Sequence, residues 1–283
     1  MTDEMLTKYL EITEAEQNLD LRRAAPEEVR HTLGMREVRI GGGVVMAMAN
    51  DPSGYWNRSL GFGFGSPVTA GLLDAVSDFY RESGATSGMI QIAPAAIPDD
   101  WDALREKAGL VEHSSWVKMV ADVDVAVKRS PDRIEDVTDL RVGRVHEEDA
   151  DEWGRLMTRV FGMRAEGLSQ MMSSTVGRPR WQGFGAWDGD RLVATGMMYV
   201  HGGIARFLSG TTSEEARGRG GHSALLVARA RAAQAARCRF LVAETRPETA
   251  GGQNSSLHNM QRLGFNIRYE RKNWAWRFDG ENG

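Results

Sequence analysis

From Ala205 to Leu226 the chain passes from a strand pattern, through a turn of arginine and glycine, directly into an apolar helix pattern. Few folds accept that order. The strand is Ala205-Arg206-Phe207-Leu208-Ser209-Gly210-Thr211-Thr212, the turn is Arg217-Gly218-Arg219-Gly220-Gly221, and the helix opens His222-Ser223-Ala224-Leu225-Leu226. Glycine removes the Cβ atoms that would hold an anion off the backbone, and the first free N–H groups of the helix point at that anion with the positive end of the dipole. The turn therefore reads as a phosphate grip, with Arg217 and Arg219 adding charge. Two other phosphate turns fail on the letters. The terminal Gly-Lys-Ser/Thr of the P-loop is missing, and the glycines do not fall at one, three and six with a later acid. An RGG-type RNA-binding segment would be basic and repetitive, whereas the net charge is −4 and the motif is a single turn between strand and helix. No nucleic-acid partner is expected.

The letters that remain, Arg217-x-x-Gly220, match the Arg/Gln-x-x-Gly-x-Gly/Ala pattern of the GCN5-related N-acetyltransferases, and His222 stands where that pattern has glycine or alanine. Phe240-Leu241-Val242-Ala243-Glu244 looks like the fifth strand of that family, and Asn254 to Phe265 looks like its fourth helix with a closing Gly-Phe. The chain thus resembles this superfamily over about residues 138 to 278. The resemblance implies a mixed-sheet α/β fold (of α+β type), with acetyl-coenzyme A as co-substrate and its pyrophosphate on residues Arg217 to Ser223. The acyl arm would lie between splayed strands against the backbone of Thr211, Thr212 and Ser213, with Asn254, Ser256 and Asn259 touching it from the helix. For each of those three, helix capping is the alternative.

The 283 residues suit about two domains, and 41% hydrophobic with 26% charged residues is ordinary for a globular chain. No apolar run approaches the ~18 residues needed to span a bilayer, and the opening Met-Thr-Asp-Glu-Met lacks signal-peptide character. A cytoplasmic protein without a membrane partner is expected. Cys238 stands alone, so no internal disulfide forms, and six scattered histidines show no metal-ligand spacing. No metal is expected.

At an offset of 153 residues the two halves align. Leu72-Leu73 falls on Leu225-Leu226 and Met89-Ile90-Gln91-Ile92 on Val242-Ala243-Glu244-Thr245; the order of elements matches too, and Ala108-Gly109-Leu110 mirrors Leu263-Gly264-Phe265. In the first half Ser59 to Gly63 and Gly88 to Ile92 read as strands. Pro67 to Glu82 reads as a helix capped by Ser66, and Trp101 to Lys107 as another. The chain reads as two such domains in tandem, residues 1–130 and 138–283, joined by a linker at Val127 to Arg133. The same offset sets Phe64-Gly65-Ser66-Pro67 against Arg217-Gly218-Arg219-Gly220, so the first copy lacks the phosphate grip, and Gln91 replaces Glu244. That degenerate copy would shape the acceptor cleft or serve a homodimer contact.

Acetyl transfer to an amine needs the two reactants held together, a base, and stabilisation of oxyanion and thiolate. Glu244 is the candidate base, its pKa raised by half-burial beside Leu241 and Val242; a surface acid paired with an arginine such as Arg246 is the alternative. Many family members place a tyrosine acid where this chain has Met260, and a thioether donates no proton. Either another group serves, with Ser256, His258 and Asn259 nearby, or the thiolate leaves unassisted; for His258 a solvent-facing helix position is the alternative. Trp153, Phe161, Met163, Met171 and Met172 would overhang the acceptor or simply fill the core. The expected activity is acyl-coenzyme A-dependent N-acetyl transfer to a small-molecule amine, with another acyl chain or a non-catalytic acyl-coenzyme A sensor as alternatives.

Overall fold

The computed structural model describes residues 2–249 and 252–278, so residues 279–283 of the second expected domain lie outside the described residues. The helices are α1 (Asp3–Ala24), α2 (Glu27–Thr32), α3 (Ala70–Glu82), α4 (Trp101–Lys107), α5 (Val123–Arg129), α6 (Ala150–Val160), α7 (Leu168–Ser173), α8 (Gly221–Ala235) and α9 (Ser255–Arg262). The strands are β1 (Met35–Ile40), β2 (Gly43–Met48), β3 (Arg58–Leu60), β4 (Ser87–Gln91), β5 (Val111–Asp122), β6 (Arg141–Arg144), β7 (Trp181–Asp188), β8 (Arg191–His201), β9 (Ile204–Thr212), β10 (Phe240–Thr245) and β11 (Asn266–Arg277). They form one mixed sheet in the order β1-β2-β3-β4-β11-β5-β10-β9-β8-β7-β6. The fold is α/β, with a helical layer on each face.

The halves meet by crossing their last strands. β5, from the first half, pairs antiparallel with β10, and β11, from the second, pairs antiparallel with both β5 and β4. Both are long, and both lie inside the sheet, where each of their backbone edges finds a partner strand. One face is covered by α3 and α4 over the first half and by α5, α8 and α9 over the second; α6 and α7 pack on the other face of the second half. Helix α1 lies in the valley between the halves on that other face. Its Ala15 and Leu19 pack on Val44, Met46 and Leu60, its Leu10 on Ile204 and Val242, and its Leu21 joins the α6–α7 cluster. Each of these leucines contributes about 1.5–3 kcal/mol by leaving water. No helix of the described residues is long and apolar enough to cross a membrane.

Two local expectations are corrected. Helix α3 begins at Ala70, capped by the Thr69 hydroxyl accepting from Leu72 N at 3.3 Å, and not at Pro67 behind Ser66. Val68 is buried in the first-half core, which draws residues 66–69 into an extended crossing before the helix can start. The expected linker also begins too early. Asp122 caps α5 by accepting from Asp124 N at 2.9 Å, and Val123 and Ala126 are buried against the second-half core, so Val127, Lys128 and Arg129 are helical.

Candidate functional site

The turn before α8 is fixed by its neighbours. Gly220 is its N-cap at φ +78°, and a Cβ there would stand 2.0 Å from the carbonyl oxygen of Val137, so only glycine fits. The Thr138 hydroxyl donates to Arg219 O at 2.6 Å, and Arg219 itself reaches Asp188 at 2.7 Å and Asp139. Those hydrogen bonds, donated to Asp188 first and Asp139 second, raise the guanidinium above its ordinary range. Arg219 thus ties the turn to the start of β6 and the end of β7. Arg217 is exposed and forms no ion pair among the described residues. The backbone amides of residues 218–223 likewise meet no acceptor among those residues; the next, Ala224 N, donates to Gly220 O at 2.9 Å. Six consecutive N–H groups at the positive end of a 15-residue helix, beside an arginine without an ion pair among those residues, form an arrangement that can hold an anion.

Below the cradle the sheet opens. β9 and β10 run parallel and pair from Phe240/Ile204 to Ala243/Phe207, and beyond that point Leu208–Thr212 and Glu244–Thr245 part. β9 is bulged there: Ser209 and Gly210 together face Gly196 of β8, and Ser209 takes φ +53°, a strained value for a residue with a Cβ. Ser213 N donates to Val193 O at 2.8 Å. Alternation along an antiparallel ladder then turns the amide of Thr212 away from β8, toward the gap.

Two side chains of α8 lie against the bulge. The His222 ring stands 3.2 Å from where a Cβ on Gly210 would be, and Arg229, two turns on, lies 3.0 Å from the equivalent point on Gly196. Arg229 is fully buried without a carboxylate among the described residues. It donates to the carbonyls of Leu225 (3.0 Å), Met197 (3.3 Å) and Leu208 (3.5 Å). Burial pushes its guanidinium down to about 9, which leaves it charged at pH 7. Burial, and then the charge of Arg229, push His222 down to about 4. Its Nδ1 is bonded to Asn259 Nδ2 on α9 at 3.0 Å.

The lowered His222 has a sign that can be tested. The unfolded chain takes up a proton near pH 6.5 while the folded chain resists until about 4, so stability falls as the pH drops through that window. The His222→Asn variant should lack this component, on the order of 3 kcal/mol at its full extent, in urea titrations at pH 7 and pH 4.5. Parallel acid profiles of the two proteins would refute it.

On the opposite face of the gap Glu244 meets three cations: Arg271 at 2.8 Å, Lys118 at 2.9 Å and Arg206 at 2.9 Å. Glu11 and Glu14 of α1 join them. Glu14 contacts Arg206 and Arg271 at 2.9 Å each, Arg58 at 3.4 Å, and Lys118; Glu11 contacts Lys118 at 3.1 Å and Arg271, and accepts from the Tyr269 hydroxyl at 2.6 Å. Burial pushes the Glu244 carboxyl up, but Arg271, Lys118 and Arg206 outweigh it together with the repulsion of Glu14, and the group ends below the usual carboxylate range. Glu244 is an ionised partner in a buried ion cluster.

No protein-family model and no curated protein matches the sequence. Solved structures do match its shape. A GCN5-related N-acetyltransferase from Kribbella flavida aligns over 93% of this chain and 96% of its own, with 14% identity and TM-score 0.59. One from Sphaerobacter thermophilus aligns over 85% and 82%, with 14% identity and TM-score 0.60. A tandem GNAT protein from the clavulanic acid biosynthesis pathway aligns over 86% and 82%, with 16% identity and TM-score 0.56. The chain has the GCN5-related N-acetyltransferase (GNAT) fold.

Within the GNAT fold the expected residues Arg217, Gly218, Gly220, Gly221, His222 and Ser223 stand at the head of α8, and Thr211 and Thr212 lie on the stretch of β9 beyond its last pairing with β10. Five expected site residues are engaged otherwise. Glu244 has a lowered pKa, not a raised one, because three cations surround it. Arg219 is committed to Asp139 and Asp188. Asn254 caps α9, accepting from Leu257 N at 3.1 Å and donating to Thr245 Oγ1 and Arg246 O, which occupies its amide. His258 is exposed and bonded to Glu248 at 2.6 Å, and Ser213 has its amide in the ladder. Ser256 is half-buried on α9 beside these groups. Met260 is in the core, as are Trp153, Met171 and Met172, while Phe161 is exposed. Glu11, Glu14, Lys118, Arg206 and Arg229 are not singled out by sequence reasoning. The signal was present in α1, where Thr7, Glu11, Glu14, Asn18 and Arg22 recur at helical spacing and are all buried. A search for apolar stripes passes over a buried stripe made of polar residues.

Proposed function

We propose that the chain is an acyl-coenzyme A-dependent N-acyltransferase that moves an acetyl group from acetyl-coenzyme A directly to a primary amine of a small molecule, both bound at once. The row of unpartnered amides at residues 218–223, opening onto the gap between β9 and β10, carries this reading. The amides and Arg217 would hold the pyrophosphate. The arm would run back along β9, taking the Thr212 amide, so that the thioester reaches the closed end of the gap near Gly210. The likeness to the Kribbella flavida and Sphaerobacter thermophilus enzymes supports the same assignment. The first half, with Phe64-Gly65-Ser66-Pro67 in place of the cradle, would act as a wall, and through α1 it fixes Arg206 by Gln17 (3.1 Å) and Glu14 (2.9 Å).

Calorimetric titration with acetyl-coenzyme A tests the assignment. Arg217→Glu should weaken binding by at least about tenfold, or 1.4 kcal/mol, and Phe64→Glu should leave it unchanged. Equal losses would place the cofactor in the wrong half. A second reading, an acyl-coenzyme A binder without turnover, is favoured by the committed charge of Glu244, which is a poor base in this state. Thiol release measured across a panel of amines separates the two, since only an enzyme gives acceptor-dependent release.

A further inference from the structure

The orientation of Asn259 decides the proton on His222. Arg262 Nη2 donates to Asn259 Oδ1, and an arginine can only donate, so that atom is the amide oxygen and the Nδ2 facing His222 is a donor. Nδ1 of the imidazole therefore accepts, and in the neutral ring the hydrogen sits on Nε2. Nε2 has no hydrogen-bond partner among the described residues, and it faces Gly210 at the strained bulge where β9 leaves β10. Arg229 Nη2 approaches the same point, 3.9 Å from a Cβ built on Gly210, as a buried cation without a carboxylate partner among the described residues. A free N–H and a positive field converge on one spot.

We propose that His222 donates its Nε2–H to the thioester carbonyl oxygen at Gly210 and stabilises the oxyanion of the tetrahedral intermediate, with Asn259 as the residue that positions the ring. The proposal rests on the transferase reading and deepens it. The amine lone pair forms the C–N bond while the carbonyl π pair moves onto oxygen. Collapse restores the carbonyl and breaks the C–S bond, the thiolate leaves with that pair, and the ammonium proton passes to water. His222 stays neutral throughout and transfers no proton. Its task is to hold a hydrogen bond that strengthens as charge develops on oxygen, in a site Arg229 has already made electropositive. A glycine or alanine at position 222 could not do this, so the departure from the family pattern acquires a chemical meaning.

The test needs no acceptor. Acetyl-coenzyme A labelled with 13C at the acetyl carbonyl is bound to the protein, and its carbonyl stretch is read by difference infrared spectroscopy. Wild type should shift the band to lower frequency than in solution. His222→Ala should abolish the shift of the bound acetyl-coenzyme A, and His222→Gln, which presents an N–H at a similar reach, should restore part of it. Asn259→Ala should broaden the shift and move the His222 15N resonances toward a mixture of tautomers, which a purely structural role would not do. An unshifted wild-type band, a shift unchanged in His222→Ala, or coenzyme A binding about tenfold tighter in His222→Ala would overturn the proposal; the last would make the ring a plug. Failure of wild type to bind acetyl-coenzyme A at all would instead sink the transferase reading.

Discussion

The Glu14→Ala variant should lose about 3–5 kcal/mol of stability, read as a lower urea midpoint with little change of slope. Glu14 is fully buried and stands among Arg58, Lys118, Arg206 and Arg271. The cluster has three carboxylates, Glu11, Glu14 and Glu244, against those four cations, so it already carries an excess of positive charge. Removing the carboxylate that touches all four leaves desolvated cations with too few partners, and water cannot reach them without opening the seam between the halves. Glu14→Gln should be nearly as damaging despite its matched shape, because charge and not volume is what the site lacks. The wild type should show the matching acid sensitivity. Burial works against ionisation of Glu14, but the four cations prevail and hold its pKa well below the usual range. Its stabilisation is complete above the unfolded value near 4.5 and is lost as the pH falls through the lower folded value. A Glu14→Ala protein with the midpoint of wild type would mean that the cluster is neutral in net effect.

Gly220→Ala should remove acetyl-coenzyme A binding, with an affinity loss of about 100-fold or more by calorimetry, equivalent to about 2.7 kcal/mol. Two costs add at this position. The φ of +78° disfavours any residue with a Cβ by about 1–2 kcal/mol, and the new methyl would lie 2.0 Å from Val137 O, a contact that only a main-chain shift relieves. That shift pulls on Thr138, whose hydroxyl holds Arg219 O, so the amides of the cradle would lose their common aim. Gly218→Ala is the control. Gly218 has the same φ of +78° but open space around its missing side chain, so it should cost only the conformational part and leave most of the binding intact. Equal effects of the two substitutions would show that backbone conformation alone matters, and unchanged binding in Gly220→Ala would show that this turn is not the cradle.

Local chemistry determined a good deal from the sequence by itself. The strand, turn and helix at Ala205–Leu226 and the helix at Trp101–Lys107 each carry their signal within a few neighbouring residues, and both are present. The glycine turn with its unpartnered amides was legible for the same reason, since glycine spacing and a helix start are short-range properties. What only the tertiary structure decided is where charges meet. Glu244 meets Lys118 because β5 pairs with β10, and it meets Arg271 because β11 is inserted beside β5; Glu11 and Glu14 arrive from a helix more than two hundred residues earlier in the chain. Whether a carboxyl is a base with a raised pKa or an ion-pair partner with a lowered one depends on the charges within a few ångströms, and pairing across the sheet sets those distances. In the same way His222 read as a mismatch in a motif, and became a directed N–H donor only when the fold set Asn259 against one ring nitrogen and Gly210 against the other.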